Sequence, residues 1–230
     1  MPDAEFSPPA PSQNALGSAT TAPVRKRPKP GERRVQILQA LATMLERPGA
    51  ERITTAALAA RLDVSEAALY RHFASKAQMF EGLIDFIEQS VFSLVNQIQI
   101  VDSDISSTPA ELSRDTVAGT RQAAKIVVML MQFAEKNPGM TRVMVGDALV
   151  FENERLQQRM NQFFDKIESA FKQSLRGLAE SKGSATPSVD TQVQASVLTA
   201  FVVGRLQRFT RSGFKRLPSE YIEASLALIL

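Results

Sequence analysis

The chain has 230 residues, enough to bury one sizeable core or two smaller ones, and its 27 Lys and Arg against 24 Asp and Glu leave a net charge of +3, mildly basic and compatible with a nucleic-acid partner. It contains no cysteine, which excludes disulfide scaffolds, thiolate zinc sites and cysteine nucleophiles and fits a reducing compartment. No apolar run approaches the ~20 residues that cross a bilayer, and the opening MPDAEFSPPAPSQNA lacks a positive segment followed by an apolar block, so the reading is a soluble cytoplasmic protein.

Residues 1–30 form a tail rich in Pro, Ser, Ala and Thr. It offers too little apolar surface to offset its ordering entropy and is expected to be disordered. It runs into RKRPKPGERR, where Arg25, Lys26, Arg27, Lys29, Arg33 and Arg34 oppose one acid, Glu32. Such a run is either a solvated linker or a flexible basic arm that follows a phosphate backbone.

From Gly31 onward the pattern is helical. Val35, Leu38, Leu41, Ala42 and Leu45 recur at helical spacing in a first helix that RPGAE ends at 47–51. Two short helices follow within 53–73, divided by a tight turn at Asp63–Val64. Thr54 and Ser65 are their expected N-caps, and Asp63 sits where a short polar side chain tolerates the left-handed conformation. Ser75 can cap a long helix from about 75 to 100. Thr108, Pro109 and Glu111 mark another start, giving a helix over 108–136. KNPG at 136–139 separates it from the next, a long segment spans about 148 to 181, and the last helices cover about 190–212 and 218 to the end. Strand signals are absent. The expected fold is all-α: a three-helix unit at 31–77 and a larger helical bundle at 78–230.

The stretch ITTAALAARLDVSEAALYRHFASK at 53–76 contains the chain's single histidine, His72. Leu58, Ala59, Leu62, Leu69 and Phe73 take the inward positions. Ser65, Ala67, Ala68, Tyr70, Arg71 and His72 are left for the outer surface. A metal role lacks a second His or Cys, a general-base role lacks a local nucleophile, and a core role conflicts with the polar flanks. A phosphate contact fits best, since an imidazole or phenol donating to phosphate fixes register on a duplex. The two alanines would let the helix approach base edges closely. A short helix pair with a tight turn and a small, polar outer edge is a helix-turn-helix signature.

The same stretch resembles the DNA-binding motif of TetR-family regulators, which carries T-x-x-x-L-A-x-x-x-G-V-S followed by L-Y-x-H-F-x-x-K. Thr55, Leu58, Ala59, Val64, Ser65, Leu69, Tyr70, His72, Phe73 and Lys76 fall on that pattern, ten positions over 22 residues. Asp63 replaces the usual Gly. The resemblance implies that Thr55 and Lys76 grip phosphate on either side of a recognition helix at 65–72, with Tyr70 and His72 doing likewise. With the caps and outer edge, the DNA-binding set is Thr54, Thr55, Ser65, Ala67, Ala68, Tyr70, Arg71, His72 and Lys76.

Three later stretches, at 79–91, 133–164 and 208–221, resemble one branch of that family, the nucleoid-occlusion proteins. These bind palindromic chromosomal sites and, when DNA-bound, antagonise assembly of the tubulin-like division protein FtsZ. The tail here is longer than that branch leads one to expect. On a helical wheel, Phe80, Leu83, Ile84, Ile87, Val91, Leu94 and Ile98 form one stripe of the 75–100 helix. Phe86 lies off it, in line with Met79, Ser90, Ser93 and Gln97, and needs either a neighbouring helix or a partner. The resemblance places a partner groove between this helix and the next long one and carries over Phe86, Lys136 and Asn137.

One recognition helix reads few base pairs, so a homodimer on a palindrome is expected. VQASVLTAFVVGRLQRF at 193–209 is the interface candidate, with Ala200 and Gly204 permitting close helix approach; the alternative is that it lines the chain's own core. The resemblance implies a four-helix interface from the last two helices of each subunit. Two readings stay open: a DNA-activated division inhibitor, and a TetR-type repressor released by a small ligand. No metal constellation, phosphate loop or Ser/His/Asp set supports an enzyme, and no cofactor is expected.

Overall fold

The computed structural model describes residues 31–47, 53–104, 112–181 and 185–230. They form helices α1 (Glu32–Leu45), α2 (Thr55–Leu62), α3 (Glu66–Tyr70), α4 (Lys76–Asp104), α5 (Leu112–Lys136), α6 (Pro138–Met144), α7 (Glu154–Ser181), α8 (Pro187–Arg211) and α9 (Ile222–Ile229), with a 3₁₀ turn at Asp147–Leu149. Among the described residues no strand occurs and no helix is long and apolar enough to cross a membrane. The 1–30 tail, most of the RPGAE break and the Thr108–Glu111 helix start lie outside the described residues.

In α1 the core stripe is Ile37, Leu41, Ala42 and Leu45. Leu38 is half-buried and Val35 is exposed, so the expected stripe is off by part of a turn at its start. α2 packs on both α1 and α3, with Leu58, Ala59 and Leu69 buried there. α5, α7 and α8 form the centre of the bundle, and α4 lies across α5 and α7. The α7 stripe Leu156, Met160, Phe163, Ile167, Phe171, Leu175 and Leu178 keeps steps of three and four, and all but Leu178 are fully buried. Such spacing keeps one seam turned to the neighbouring helices.

Two glycines set helix separations. A Cβ on Gly119 would stand 2.3 Å from the Ser174 carbonyl oxygen, which brings α5 onto α7. A Cβ on Gly139 would stand 1.9 Å from the Ala42 carbonyl oxygen, so α6 rests directly on the backbone of α1. Arg142 of α6 also donates to the carbonyls of Leu45 and Arg47, at 3.3 and 3.4 Å, and so satisfies acceptors that the end of α1 leaves open. Through α6 the three-helix unit is seated on the bundle. The buried cluster runs without a break from Ile37 to Leu226.

Four sequence expectations are corrected. Met79 is 1% exposed rather than on the outer line of α4, because the first turns of α4 are covered by α1. Leu94 is exposed and Val95 takes its place in the stripe, since α4 is long enough for the buried face to drift. The segment from 148 is not one helix. The 3₁₀ turn closes at Leu149, and Asn153 starts α7 by accepting from the Arg155 N–H at 3.0 Å. Likewise α9 begins at Ile222 rather than 218, after Tyr221 turns through a left-handed φ of 55°.

Candidate nucleic-acid interface

The turn between α2 and α3 is built from its caps. Thr54 Oγ1 accepts from the Ala57 N–H at 3.1 Å, and Ser65 Oγ accepts from the Ala68 N–H at 3.3 Å. Asp63 adopts φ 53° and ψ 52°, the left-handed conformation, and its N–H and that of Val64 close on Ala60 and Ala59 carbonyls. Leu69 and Phe73 are buried beneath α3. The edge above them is open: Ser65, Glu66, Ala67, Tyr70, Arg71 and His72 are exposed, and Ala68 is half-buried. The helix is shorter than the expected 65–72: the phenol of Tyr70 stands on its last residue, Arg71 is its C-cap and His72 lies in the turn that follows, all three open above the buried Leu69 and Phe73.

Arg34 ties this edge to α1. Its guanidinium donates to the His72 carbonyl at 2.9 Å and lies 4.1 Å from the Phe73 ring centroid. The basic run thus has at least one structural member, which the sequence had grouped with the arm.

Two of the expected phosphate anchors are engaged inside the protein. The Thr55 hydroxyl donates to the Glu66 carboxylate at 2.6 Å. The Lys76 ammonium is paired with the Glu152 carboxylate ahead of α7. Lys76 opens α4, and Ser75 caps it by accepting from the Gln78 N–H at 3.2 Å. Glu66 was read only as an acid favouring the start of α3, and Glu152, 76 residues from Lys76, was not singled out by sequence reading because tertiary packing alone brings it there.

The expected partner residues are spread over two helices. Phe86 is 42% exposed on α4, so among the described residues no helix fully covers it. Beside it a ladder of ion pairs fastens α4 to α7. Arg155 pairs with Glu81, Arg159 reaches Asp85 and Glu88 at 2.9 Å each, and Lys166 reaches Glu88 at 3.6 Å. Burial pushes the Arg159 guanidinium down, but its hydrogen bond to Asp85 and the attraction of Glu88 and Asp85 outweigh this and hold it above its usual value. Lys136 is exposed at the end of α5, where a cation complements the helix dipole. Asn137 closes the same end, its side-chain N–H donating to the Phe133 carbonyl at 2.8 Å. A largely apolar cleft of about 410 Å³ lies along α5, lined by Ala124, Val128, Met129 and Gln132, with α9's Glu223 and Leu226 opposite. Gln132 is one turn before Lys136. Among the described residues no group of three or more acids or histidines could hold a metal.

The helix-turn-helix unit and the bundle each match a known family model. Residues 37–83 match bacterial regulatory proteins of the tetR family, and residues 118–230 match the tetracyclin repressor-like C-terminal domain of the SlmA-like kind. The nucleoid occlusion factor SlmA of Aliivibrio fischeri is 49% identical over 203 residues, covering 88% of this chain and 96% of the relative. That of Vibrio cholerae is 48% identical over 198 residues, covering 86% and 93%. The chain belongs to the SlmA family. The SlmA family is a branch of TetR-type DNA-binding regulators and not an enzyme family. Solved structures share the fold at low identity. The fatty acid degradation regulator FadR from Bacillus halodurans has a TM-score of 0.66 at 15% identity over 86% of this chain and 95% of its own. A TetR-family transcriptional regulator from Bordetella parapertussis has 0.61 at 14%, over 87% and 95%. Membership of the SlmA family agrees with the all-α arrangement of a helix-turn-helix unit ahead of a bundle.

Proposed function

We propose that the protein is a nucleoid occlusion factor: it binds palindromic chromosomal DNA as a homodimer and, when bound, antagonises FtsZ polymerisation so that septa do not form over the chromosome. The observation that carries the reading is near-half identity to nucleoid occlusion factors along almost their whole length. The open edge of α3 supports the DNA part. Ala67 and Ala68 let the helix approach base edges, Arg71 adds charge, and Tyr70 and His72 anchor it to the backbone. The caps Thr54 and Ser65 each fix the start of one helix of the pair. Thr55 and Lys76 flank the edge and take phosphate once released from their carboxylates.

The dimer reading rests on α8. Val189, Val193 and Val197 are each about half exposed or more, Ala200 continues the same line, and a Cβ on Gly204 would meet nothing within 4 Å. Leu228 of α9 is 89% exposed. A lone subunit gains nothing from such a row, whereas a second copy laid on it would bury it. For the partner surface, Phe86 supplies an uncovered aromatic, and Lys136 and Asn137 end the α5 line that passes the apolar cleft. In this reading the protein is cytoplasmic and nucleoid-associated.

The deciding experiment is sedimentation of FtsZ polymers with this protein, with and without its selected DNA. Loss of polymer only when DNA is present is the expected result. Polymer unaffected in both, with DNA still bound, would leave a TetR-type regulator of another kind.

A further inference from the structure

We infer that Glu152 holds the Lys76 ammonium in the DNA-free protein, and that docking on a duplex must take the lysine from it; Glu152 thereby sets DNA affinity without touching DNA. The inference rests on reading 54–76 as the DNA-binding edge. Glu152 lies in the loop between the 3₁₀ turn and α7, far along the chain from the helix-turn-helix. Its side chain is only 10% exposed, and that of Lys76 is 28% exposed. Among the described residues Lys76 is the one cation within ion-pair distance of this carboxylate. A carboxylate so far removed from water needs that charge, since a buried ion whose partner is removed is strongly destabilising.

The lysine cannot serve two anions at no cost. A phosphate group brought to Lys76 carries the same sign as Glu152, so the pair must open or the two anions must stand close together. The same stem that lets Lys76 reach Glu152 lets it swing outward, and its Nζ lies 5.7 Å from the Phe80 ring centroid at the root of that swing. Thr55 and Glu66 repeat the arrangement within the helix-turn-helix, a hydroxyl at the start of α2 held by a carboxylate at the start of α3. Both expected anchors are thus poised against anions already, and the buried one is costlier to release.

Ion release gives the test a direction. In the wild type, moving Lys76 onto phosphate frees a cation from DNA but leaves Glu152 to recruit one. With Glu152 neutral, only the release remains, so log affinity against log salt steepens by about 0.9. Phosphate contacts carry no sequence information, so specific and random duplexes are affected alike.

The experiment measures duplex binding by the full-length dimer of wild type, Glu152→Gln, Lys76→Met and the double variant, at several salt concentrations, with melting curves for each. Glu152→Gln is expected to bind specific and random DNA about three- to tenfold more tightly, on the 1.4 kcal/mol-per-tenfold scale, with the steeper salt slope. In the Lys76→Met background the same change should leave DNA binding unaltered while restoring melting temperature lost by the unpaired carboxylate. Should Gln at 152 destabilise the fold, Glu152→Ala carries the same comparison. A folded neutral variant with wild-type affinity and slope, or one whose gain persists without Lys76, overturns the inference while the DNA-binding reading stands. A wild-type chain that binds no duplex at low salt overturns both.

Discussion

Asp63 turns the chain between α2 and α3 at φ 53° where the family pattern has glycine. A β-branched side chain is poorly suited to that region, so Asp63→Val should lower stability by about 1–2 kcal/mol, while Asp63→Gly should fold normally; urea unfolding followed by circular dichroism reads both. Arg34 makes a second residue-scale case. Arg34→Ala removes its bond to the His72 carbonyl and its stacking on Phe73, with an expected loss of about 1–2 kcal/mol in the same assay. By contrast, Tyr70→Ala removes an exposed phenol and should weaken binding to every duplex in a gel shift with an unchanged melting curve. The caps at Thr54, Ser65 and Ser75 and the left-handed Asp63 were legible in the sequence because each is a local rule. Thr55 and Lys76 were read as candidates for phosphate, and Arg34 as part of a run that was either a solvated linker or a phosphate-following arm. Their protein partners are set by tertiary packing, which single-sequence spacing does not contain.

The helices themselves were legible wherever the apolar repeat is sustained, as in α5, α7 and α8. They were misread where one face changes cover along its length. α4 is under α1 at Met79 and under the bundle from Leu83 onward, where the buried face drifts so that Val95 is covered and Leu94 is not; one wheel with a fixed face cannot describe both. The end of α5 was placed correctly by KNPG, but the interruption at 150–153 was not seen, since Asn153 as a cap competes with an otherwise helical run. Helix separation rests on the two glycines. Gly119→Ala forces α5 from α7 and should cost about 1–3 kcal/mol by calorimetry. The α4–α7 ladder is a softer tie. Arg159→Ala should lower stability by about 1 kcal/mol at low salt, with the difference shrinking as salt rises. Because the Arg159 value is raised, its stabilising share is fully present below arginine's ordinary titration and is lost only as pH climbs past the higher folded value. Salt, not pH, is therefore the lever across the neutral range, and a melting series in each variable separates them.

At the scale of the molecule, the all-α layout and its family followed from patterns that span many residues and tolerate local errors. The faces meant for other molecules were less legible, because an apolar repeat does not say whether its own chain or another covers it. α8 shows both outcomes: Ala195, Leu198, Val202 and Leu206 are buried, and Val189, Val193 and Val197 are not. Val197→Glu should yield monomers in sedimentation velocity and weaken binding to a palindrome by at least tenfold, with helix content retained. Finally, the seat of α6 on the Ala42 carbonyl has a consequence for protein engineering. A chimera that grafts this head onto a foreign bundle would not tolerate a side chain at the register of Gly139, so donor scaffolds can be screened for that one vacancy before any is made.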